Sequence, residues 1–197
     1  MSTLQVNTIS ESTSNSGVTV DGVLIKDGLV DGKDVSALTA GKILQVVNAT
    51  DTTVASYTST AGQGFKLGSL ELSITPSATS SKIFLMTSLM ISGDNRYWEM
   101  NFYRDSTRLG DAATATGSKR NIFHQAGIGD FTDIQYQMLP FQMHYLDSPS
   151  STSAITYSVY AQNYSTPTIY YNRPINDTNA AYIHRARSLI TAMEVGG

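Results

Sequence analysis

Residues 83–91 read IFLMTSLMI, a stretch in which apolar side chains occupy odd and even positions alike. Successive side chains of a β-strand point to opposite faces, so this stretch predicts a strand that is covered on both faces. The core of a β-sandwich supplies one cover. A neighbouring subunit is the candidate for the other.

The segments around this strand alternate between apolar and polar residues. In Tyr97–Arg104, the side chains of Trp98, Met100 and Phe102 share one face. Two more sets with this spacing are Leu70, Leu72 and Ile74, and Ile155, Tyr157, Val159 and Ala161. A period of two is typical of half-buried strands, and no window has a helical period. Roughly eight to ten strands with little helix predict an all-β fold, an antiparallel β-sandwich of jelly-roll-like architecture.

Two details refine this prediction. Pro140 interrupts an alternating stretch at 133–146, and proline in a sheet occupies an edge strand or a bulge because it donates no ladder hydrogen bond. The chain closes with Leu189–Val195, which is apolar on both faces and is expected to insert deep in a sheet.

The N-terminal segment differs in composition and hydrophobic pattern from the rest of the chain. Residues 17–35 read GVTVDGVLIKDGLVDGKDV, in which three Asp-Gly pairs punctuate short apolar runs that are too short for a stable helix. Residues 1–40 contain no aromatic residue and no core of their own. We therefore divide the chain into an extended or intertwined arm, 1–40, and a β-sandwich head, 41–197.

Composition excludes several classes of protein. The chain has 197 residues, 41% of them hydrophobic, no cysteine and a net charge of -3, which argues against disorder, a disulfide scaffold and a nucleic-acid binder. The acidity is concentrated in residues 1–40, which hold five acids against two lysines. The start MSTLQVNTIS lacks the features of a signal peptide, and no apolar window is long enough for membrane insertion. These features predict synthesis in the cytoplasm.

Catalytic and metal-binding patterns are missing from the sequence. His124, His144 and His184 are far apart in the sequence, so local metal ligation is not expected. A metal site made of three copies of one histidine around a trimer axis stays open. The Gly-x-Ser-x-Gly motif of a nucleophilic serine is missing. The Gly-x-Gly pairs at 62–64 and 127–129 are most simply interpreted as turns or bulges. The carboxylate pairs Asp130 with Asp133, and Glu99 with Asp105, are interpreted as solvated charge. We predict no enzyme, no cofactor and no metal.

Binding residues are expected in the loop-rich stretch 162–177, QNYSTPTIYYNRPIND. Aromatic rings and planar polar groups stack on and hydrogen-bond to sugars, which makes Tyr164, Tyr170, Tyr171, Asn172 and Arg173 candidates for a glycan or receptor site. Asn176 and Asp177 would add hydrogen-bonding groups. The alternative is that the tyrosines fill a sheet face or a subunit interface, and Tyr170 and Tyr171 point to opposite faces if the stretch is a strand.

A second candidate receptor patch is the loop tip Asn95, Arg96 and Tyr97, which follows a Gly-Asp pair.

An ordered set of phrases covers nearly the whole chain. They are LQVNTISESTSNSGVTVDGVLIKDG at 4–28, GKILQVVNATDTT at 41–53, LELSITPSATSSKIFLM at 70–86, FYRDSTRLGDA at 102–112, YLDSPSSTSAITYSVYAQN at 145–163 and SLITAMEVGG at 188–197. In this order they resemble tail-fibre and fibre-like virion structural proteins of tailed phages, especially marine and cyanobacterial phages.

The resemblance implies a homotrimeric fibre with a head similar to tumour necrosis factor-like trimer heads. It implies a location in the virion after synthesis in the host cytoplasm, an arm attached to other tail or virion proteins, and a head that contacts host surface polysaccharide or an outer-membrane receptor. A virion adaptor or decoration protein without a receptor is the alternative. A polysaccharide-degrading enzyme assembled at subunit interfaces is a third hypothesis.

Trimerisation explains how the arm is held. Three copies wound around one axis bury apolar faces that one copy cannot bury. The residues assigned to this contact are Val18, Val20, Val23, Leu24, Ile25, Leu29 and Val30. The alternative is that a single arm docks on another virion protein by strand addition.

Overall fold

The computed structural model describes residues 18–20, 23–26, 29–30, 33–34, 41–93, 98–111, 122–126 and 134–197. The chain separates into two compact units, Met1–Lys42 and Ile43–Gly197. Every described element is a β-strand except for one turn of 3-10 helix at Ile134–Tyr136. The predicted all-β class is therefore confirmed.

The first unit contains a four-stranded antiparallel meander in the order β1-β2-β3-β4. Its strands are β1 (Val18–Val20), β2 (Val23–Lys26), β3 (Leu29–Val30) and β4 (Lys33–Asp34). Each pair of neighbours is separated in sequence by one Asp-Gly dipeptide, which favours the tight two-residue hairpin. The backbone thus pairs with itself, whereas the sequence had suggested an extended arm.

All seven residues assigned to trimerisation lie on β1, β2 or β3. Their side chains are outside the described part of the structure, so their packing around a shared axis stays a prediction.

The second unit is an antiparallel β-sandwich of two sheets. The six-stranded sheet contains β5 (Ile43–Asp51), β6 (Ala55–Thr58), β8 (Lys82–Gly93), β12 (Leu139–Asp147), β14 (Thr168–Tyr171) and β15 (Ser188–Val195). The five-stranded sheet contains β7 (Phe65–Ile74), β9 (Trp98–Arg104), β10 (Thr107–Arg108), β11 (His124–Ala126) and β13 (Ile155–Gln162).

Strand β8 organises the six-stranded sheet. It pairs with β15 through residues 82–88, with β14 through residues 91–93, and with β12 through residues 83–91. Strand β12 carries Pro140 and pairs only with β8 among the described strands, which confirms the prediction of an edge position. Strand β15 lies between β5 and β8, which confirms that the last strand is inserted within a sheet.

The core lies between the sheets and contains the residues that alternate in the sequence. Trp98, Met100 and Phe102 are fully buried, and so are Leu70 and Val159. On β8, Ile83, Leu85 and Leu89 enter the core, while Phe84 and Met90 are half-buried and Met86 is 42% exposed on the outer face. Among the described residues, β8 therefore packs into the core on one face, and its other face is partly exposed.

Two buried carboxylates hold strands and connections of the second unit together. Asp147 of β12 accepts two hydrogen bonds of 3.1 Å from Arg104 of β9 and one of 2.6 Å from the hydroxyl of Tyr157 on β13. Burial, together with the contact to Asp147, raises the pKa of Tyr157. These bonds join strands of opposite sheets, so Asp147 fixes the spacing of the layers at this end of the sandwich.

Glu194 of β15 is the second buried carboxylate. It is 1% exposed and accepts hydrogen bonds from the Ser77 amide at 2.7 Å and from Nε2 of Gln45 at 2.6 Å. Burial raises the pKa of this carboxyl, but the hydrogen bonds from Ser77 and Gln45 outweigh that effect and lower it to about 2. Glu194 thus anchors the connection between β7 and β8 onto the six-stranded sheet.

We predict that Glu194→Gln destabilises the fold at neutral pH and makes no difference at very low pH. A lowered pKa in the folded state means that the carboxylate contributes stability above its unfolded pKa of 4.5 and loses it as the pH falls towards about 2. Urea unfolding midpoints of wild type and variant, measured from pH 7 to pH 2, should converge below pH 4.5.

The control is Glu71→Gln, which removes an exposed carboxylate paired with Lys66 at 3.0 Å. Its cost should stay below about 1 kcal/mol, as for other surface ion pairs. Parallel pH curves for wild type and Glu194→Gln would contradict the account of Glu194.

Candidate functional site

The candidate site lies at one corner of the sandwich, where β6 and β14 meet two loops. In the β6–β14 ladder, Tyr170 is the partner of Ser56, and the hydroxyls of Thr58 and Thr168 are 3.1 Å apart. The loop 59–64 follows β6, and the long loop 172–187 follows β14. Functional residues often lie on loops held by a rigid scaffold, and this corner has that arrangement.

Arg173 and Tyr170 form a stacked pair at this corner. The guanidinium carbon of Arg173 is 4.6 Å from the centroid of the Tyr170 ring, within the range of a cation–π contact. Its Nη1 donates to the carbonyls of Pro174 and Ile175 at 3.3 and 3.2 Å. These contacts hold the guanidinium plane against the tyrosine, and the Arg173 side chain is 15% exposed while Tyr170 is half-buried.

Asp177 links this pair to a second arginine. Its carboxylate is 3.8 Å from Nη1 of Arg173 and also forms a salt bridge and hydrogen bond with Arg185. Two guanidinium groups therefore share one carboxylate, and exposed Arg187 follows close in sequence. The local charge is positive on a chain whose net charge is -3.

Tyr171 and Asn172 were predicted to bind a receptor, and the structure corrects this. Both are fully buried, so a ligand at the surface cannot reach them. Tyr171 points inward from β14 while Tyr170 points outward, as the alternation of a strand requires. Burial raises the pKa of the Tyr171 hydroxyl, and Gly68 lies so close to its ring that a Cβ at position 68 would be 2.7 Å from Cε1.

Asn172 instead holds the corner together. Its Nδ2 donates to the carbonyls of Asp51 and Thr53 at 3.0 Å, and its Oδ1 accepts a 2.8 Å hydrogen bond from Ser188. Its φ of 58° is in the left-handed region, where asparagine is tolerated better than most residues. Asn172 thus joins the end of β5 to the start of β15.

The other predicted binding residues have separate positions. Tyr164 is 55% exposed on the loop between β13 and β14. Asn176 is half-buried, and its backbone amide donates to the backbone carbonyl of Gln135 at 2.8 Å. The loop-tip residues Asn95, Arg96 and Tyr97 lie outside the described residues. The structure therefore brings Tyr170, Arg173 and Asp177 together.

A cleft beside this corner was not anticipated from the sequence. It has a volume of about 330 Å³ and is lined by Ser56, Tyr57, Thr58, Thr60, Gln63, Gly64 and Phe65. Tyr57 and Phe65 stack with ring centroids 5.4 Å apart. Hydroxyl, amide and aromatic groups without formal charge are suited to polar neutral ligands such as sugars. The segment TSTAGQGF carries this composition, but its glycine pair was interpreted only as a turn.

A second aromatic pair was also missed by the sequence interpretation. Tyr136 and Tyr182 meet edge to face at 5.6 Å, and Tyr182 is 59% exposed. Residue 136 belongs to the short 3-10 turn and residue 182 to the loop after β14, so only the fold brings them together. The pair adds aromatic surface to the loop that carries Arg185.

In the part of the chain that the structure describes, no three His, Cys, Asp or Glu side chains are arranged to hold a metal ion. Within the same residues, no helix has the length and apolar character to span a membrane.

Comparisons with known proteins give one kind of match. No protein-family model matches the chain, and no curated protein matches it. Among solved structures, the VP2 subviral particle of infectious bursal disease virus matches with a TM-score of 0.34 and 13% identity, over 77% of this chain and 38% of that chain. The Gt strain of the same virus matches with a TM-score of 0.36 and 12% identity, over 93% and 44%. This chain thus spans less than half of those chains, and a likeness this weak carries no argument about its function.

We predict that Asn172 is needed for stability. Asn172→Gly keeps the backbone conformation but leaves buried carbonyls without a partner. Each unsatisfied carbonyl should lower the free energy of unfolding by about 1–3 kcal/mol. Asn172→Ala should be less stable than Asn172→Gly by about 1 kcal/mol, because alanine disfavours positive φ. Urea unfolding of both variants at pH 7 measures these differences.

Asn48→Ala is the matched control, because Asn48 is an exposed asparagine of β5 that hydrogen-bonds to Thr191 at 2.8 Å. Its cost should be about 1 kcal/mol or less. Unfolding midpoints for both Asn172 variants equal to wild type would show that the buried hydrogen bonds do not hold the corner.

Proposed function

We propose that this chain is a phage virion structural protein, a short trimeric tail fibre or fibre-like appendage. Its residues 1–40 attach it to other tail or virion proteins, and its head contacts the host cell surface. The ordered resemblance along nearly the whole sequence supports the virion role, and the β-sandwich is compatible with it. The proposed activity is binding without bond cleavage.

The observation that carries the receptor role is the fixed stack of Arg173 on Tyr170. Arginine and aromatic planes that are already held in place lose little entropy when a ligand binds. Asp177 bridges Arg173 to Arg185, and the neutral cleft lies next to Tyr170 through its partner Ser56. An acidic polysaccharide would place a carboxylate or phosphate near the arginines and a sugar ring near the cleft.

Avidity completes this mechanism. A shallow site of this kind binds weakly alone, but three copies on one trimer and several trimers on one particle make attachment durable. Weak single contacts allow a particle to sample a surface before it is held firmly.

The second candidate is a virion adaptor or decoration protein without a receptor. One observation favours it: Nη1 of Arg173 already donates to Pro174 and Ile175, which are loop carbonyls of the same chain. In this role the stack serves to order the loop for packing against neighbouring virion proteins.

We predict that the protein binds acidic bacterial surface polysaccharides and that Tyr170→Ala or Arg173→Ala weakens this binding at least about tenfold, or 1.4 kcal/mol. The measurement is retention on immobilised acidic and neutral polysaccharides. Because Arg185 beside this stack is exposed, binding should weaken as salt is raised. Thermal unfolding of each variant checks that the fold is kept.

Arg108→Ala is the matched control, since it removes an arginine paired with Asp111 at 2.7 Å on the five-stranded sheet. It should bind like wild type. Absence of polysaccharide binding, or equal binding by wild type and Arg173→Ala, would contradict the receptor role and favour the adaptor. Release of new reducing ends would contradict a role in binding alone.

A further inference from the structure

One row of side chains on the outer face of the six-stranded sheet is apolar across four strands. The strand register places Val46 of β5 beside Met193 of β15, Met193 beside Phe84 of β8, and Phe84 beside Leu146 of β12. Val46 is 57% exposed and Leu146 is 46% exposed. An uninterrupted apolar row thus crosses the sheet on the side away from the core. We call the outward surface of β5, β15, β8 and β12 the outer face.

The rows next to this one contain little charge. Met86 lies beside Thr191 and His144, and Val195 lies beside Lys82. Lys82, at the start of β8, is the only Lys, Arg, Asp or Glu that points outward from these four described strands. A surface facing water normally carries more charge, so this composition is typical of an interface.

The five-stranded sheet shows the contrast within the same unit. Its outward positions include Lys66, Ser69, Glu71, Ser73 and Thr156. Lys66 and Glu71 form a salt bridge of 3.0 Å there. Strand β7 therefore has the polar outer surface expected for solvent, whereas the outward polar residues Glu99, Asn101, Ser158 and Gln162 of β9 and β13 are buried.

We propose that the outer face packs against a second copy of this chain. The four strands span about 30 Å by 19 Å, or roughly 570 Å² on each copy, from the usual rise per residue and strand spacing. A contact that covers this face buries roughly 1,100 Å² on the two copies together, which approaches the ~1,200 Å² at which specific interfaces begin. In a three-fold ring the outer face of one copy contacts a different surface of the next copy, and a face with almost no charge brings no like charges into opposition there.

The centre of the outer face has a depression that can receive a side chain of the second copy. Its volume is about 160 Å³, and its lining includes Met86, Ser88, Gln142, His144, Leu189 and Thr191. Flexible Met86 lies at its edge and can adapt to the side chain that enters. The inference rests on the self-association in the proposed function but requires neither the arm nor a host ligand.

Single-cysteine labelling tests this interface directly, because the chain has no cysteine of its own. His144→Cys places a thiol in the lining of this depression, and Val54→Cys places one on the exposed loop after β5. Maleimide labelling of the first should slow about tenfold between dilute and concentrated protein, as mass action requires. Labelling of the second should not change. Thr191→Cys is a second probe of the outer face.

Val46→Asp tests which residues hold the copies together. It should weaken association at least about tenfold and restore fast labelling of His144→Cys, since a buried unpaired charge opposes packing. Val54→Asp is the matched control, because Val54 is also an exposed valine, at 40%. Thermal unfolding should show that both variants fold.

The outcomes separate this inference from the proposed function. Fast labelling of His144→Cys and Thr191→Cys at all concentrations would overturn the interface. If the mass of the chain were then still trimeric, the fibre proposal would survive with its contacts elsewhere. Equal effects of Val46→Asp and Val54→Asp would also overturn the interface.

Discussion

The hydrogen-bond ladders on the two edges of β8 are the constraint on which the rest of the structure depends. β15 and β14 occupy one edge and β12 occupies the other, so β8 fixes the order of the larger sheet. Its inner side chains Ile83, Leu85 and Leu89 then form one wall of the core. Among the described residues, its outer side chains Phe84 and Met86 are only partly covered, and this imbalance is the physical reason for the proposed association.

The fold was largely predictable because a strand reports its buried face through alternation. Leu70, Trp98 and Val159 occupy the core as their spacing required, and Pro140 sits on an edge strand for lack of an amide donor. The polar ties were not predictable. Glu194 and Asp147 look like ordinary surface acids in the sequence, and only the packing of distant strands shows that they are buried and hydrogen-bonded.

The candidate site was predictable only in part. Aromatic and polar residues in one loop-rich stretch pointed to Tyr170 and Arg173, but the same reasoning included Asn172, which the fold buries. Composition cannot distinguish an asparagine that binds a ligand from one that satisfies buried carbonyls. The cleft beside Tyr57 and the contact of Tyr136 with Tyr182 depend on residues far apart in sequence, so local patterns could not reveal them.

The proposed binding site and the proposed interface between copies use different strands of the head. The loops after β6 and β14 offer the polar and cationic groups, and the outer face of the larger sheet offers apolar surface for another copy. We propose that the outer face is covered only when copies of the chain associate. The most direct measurement is the solution mass of the 197-residue protein by light scattering at micromolar concentration. The account predicts a mass near three times the chain mass of 21.3 kDa, and a stable monomer under these conditions would contradict it.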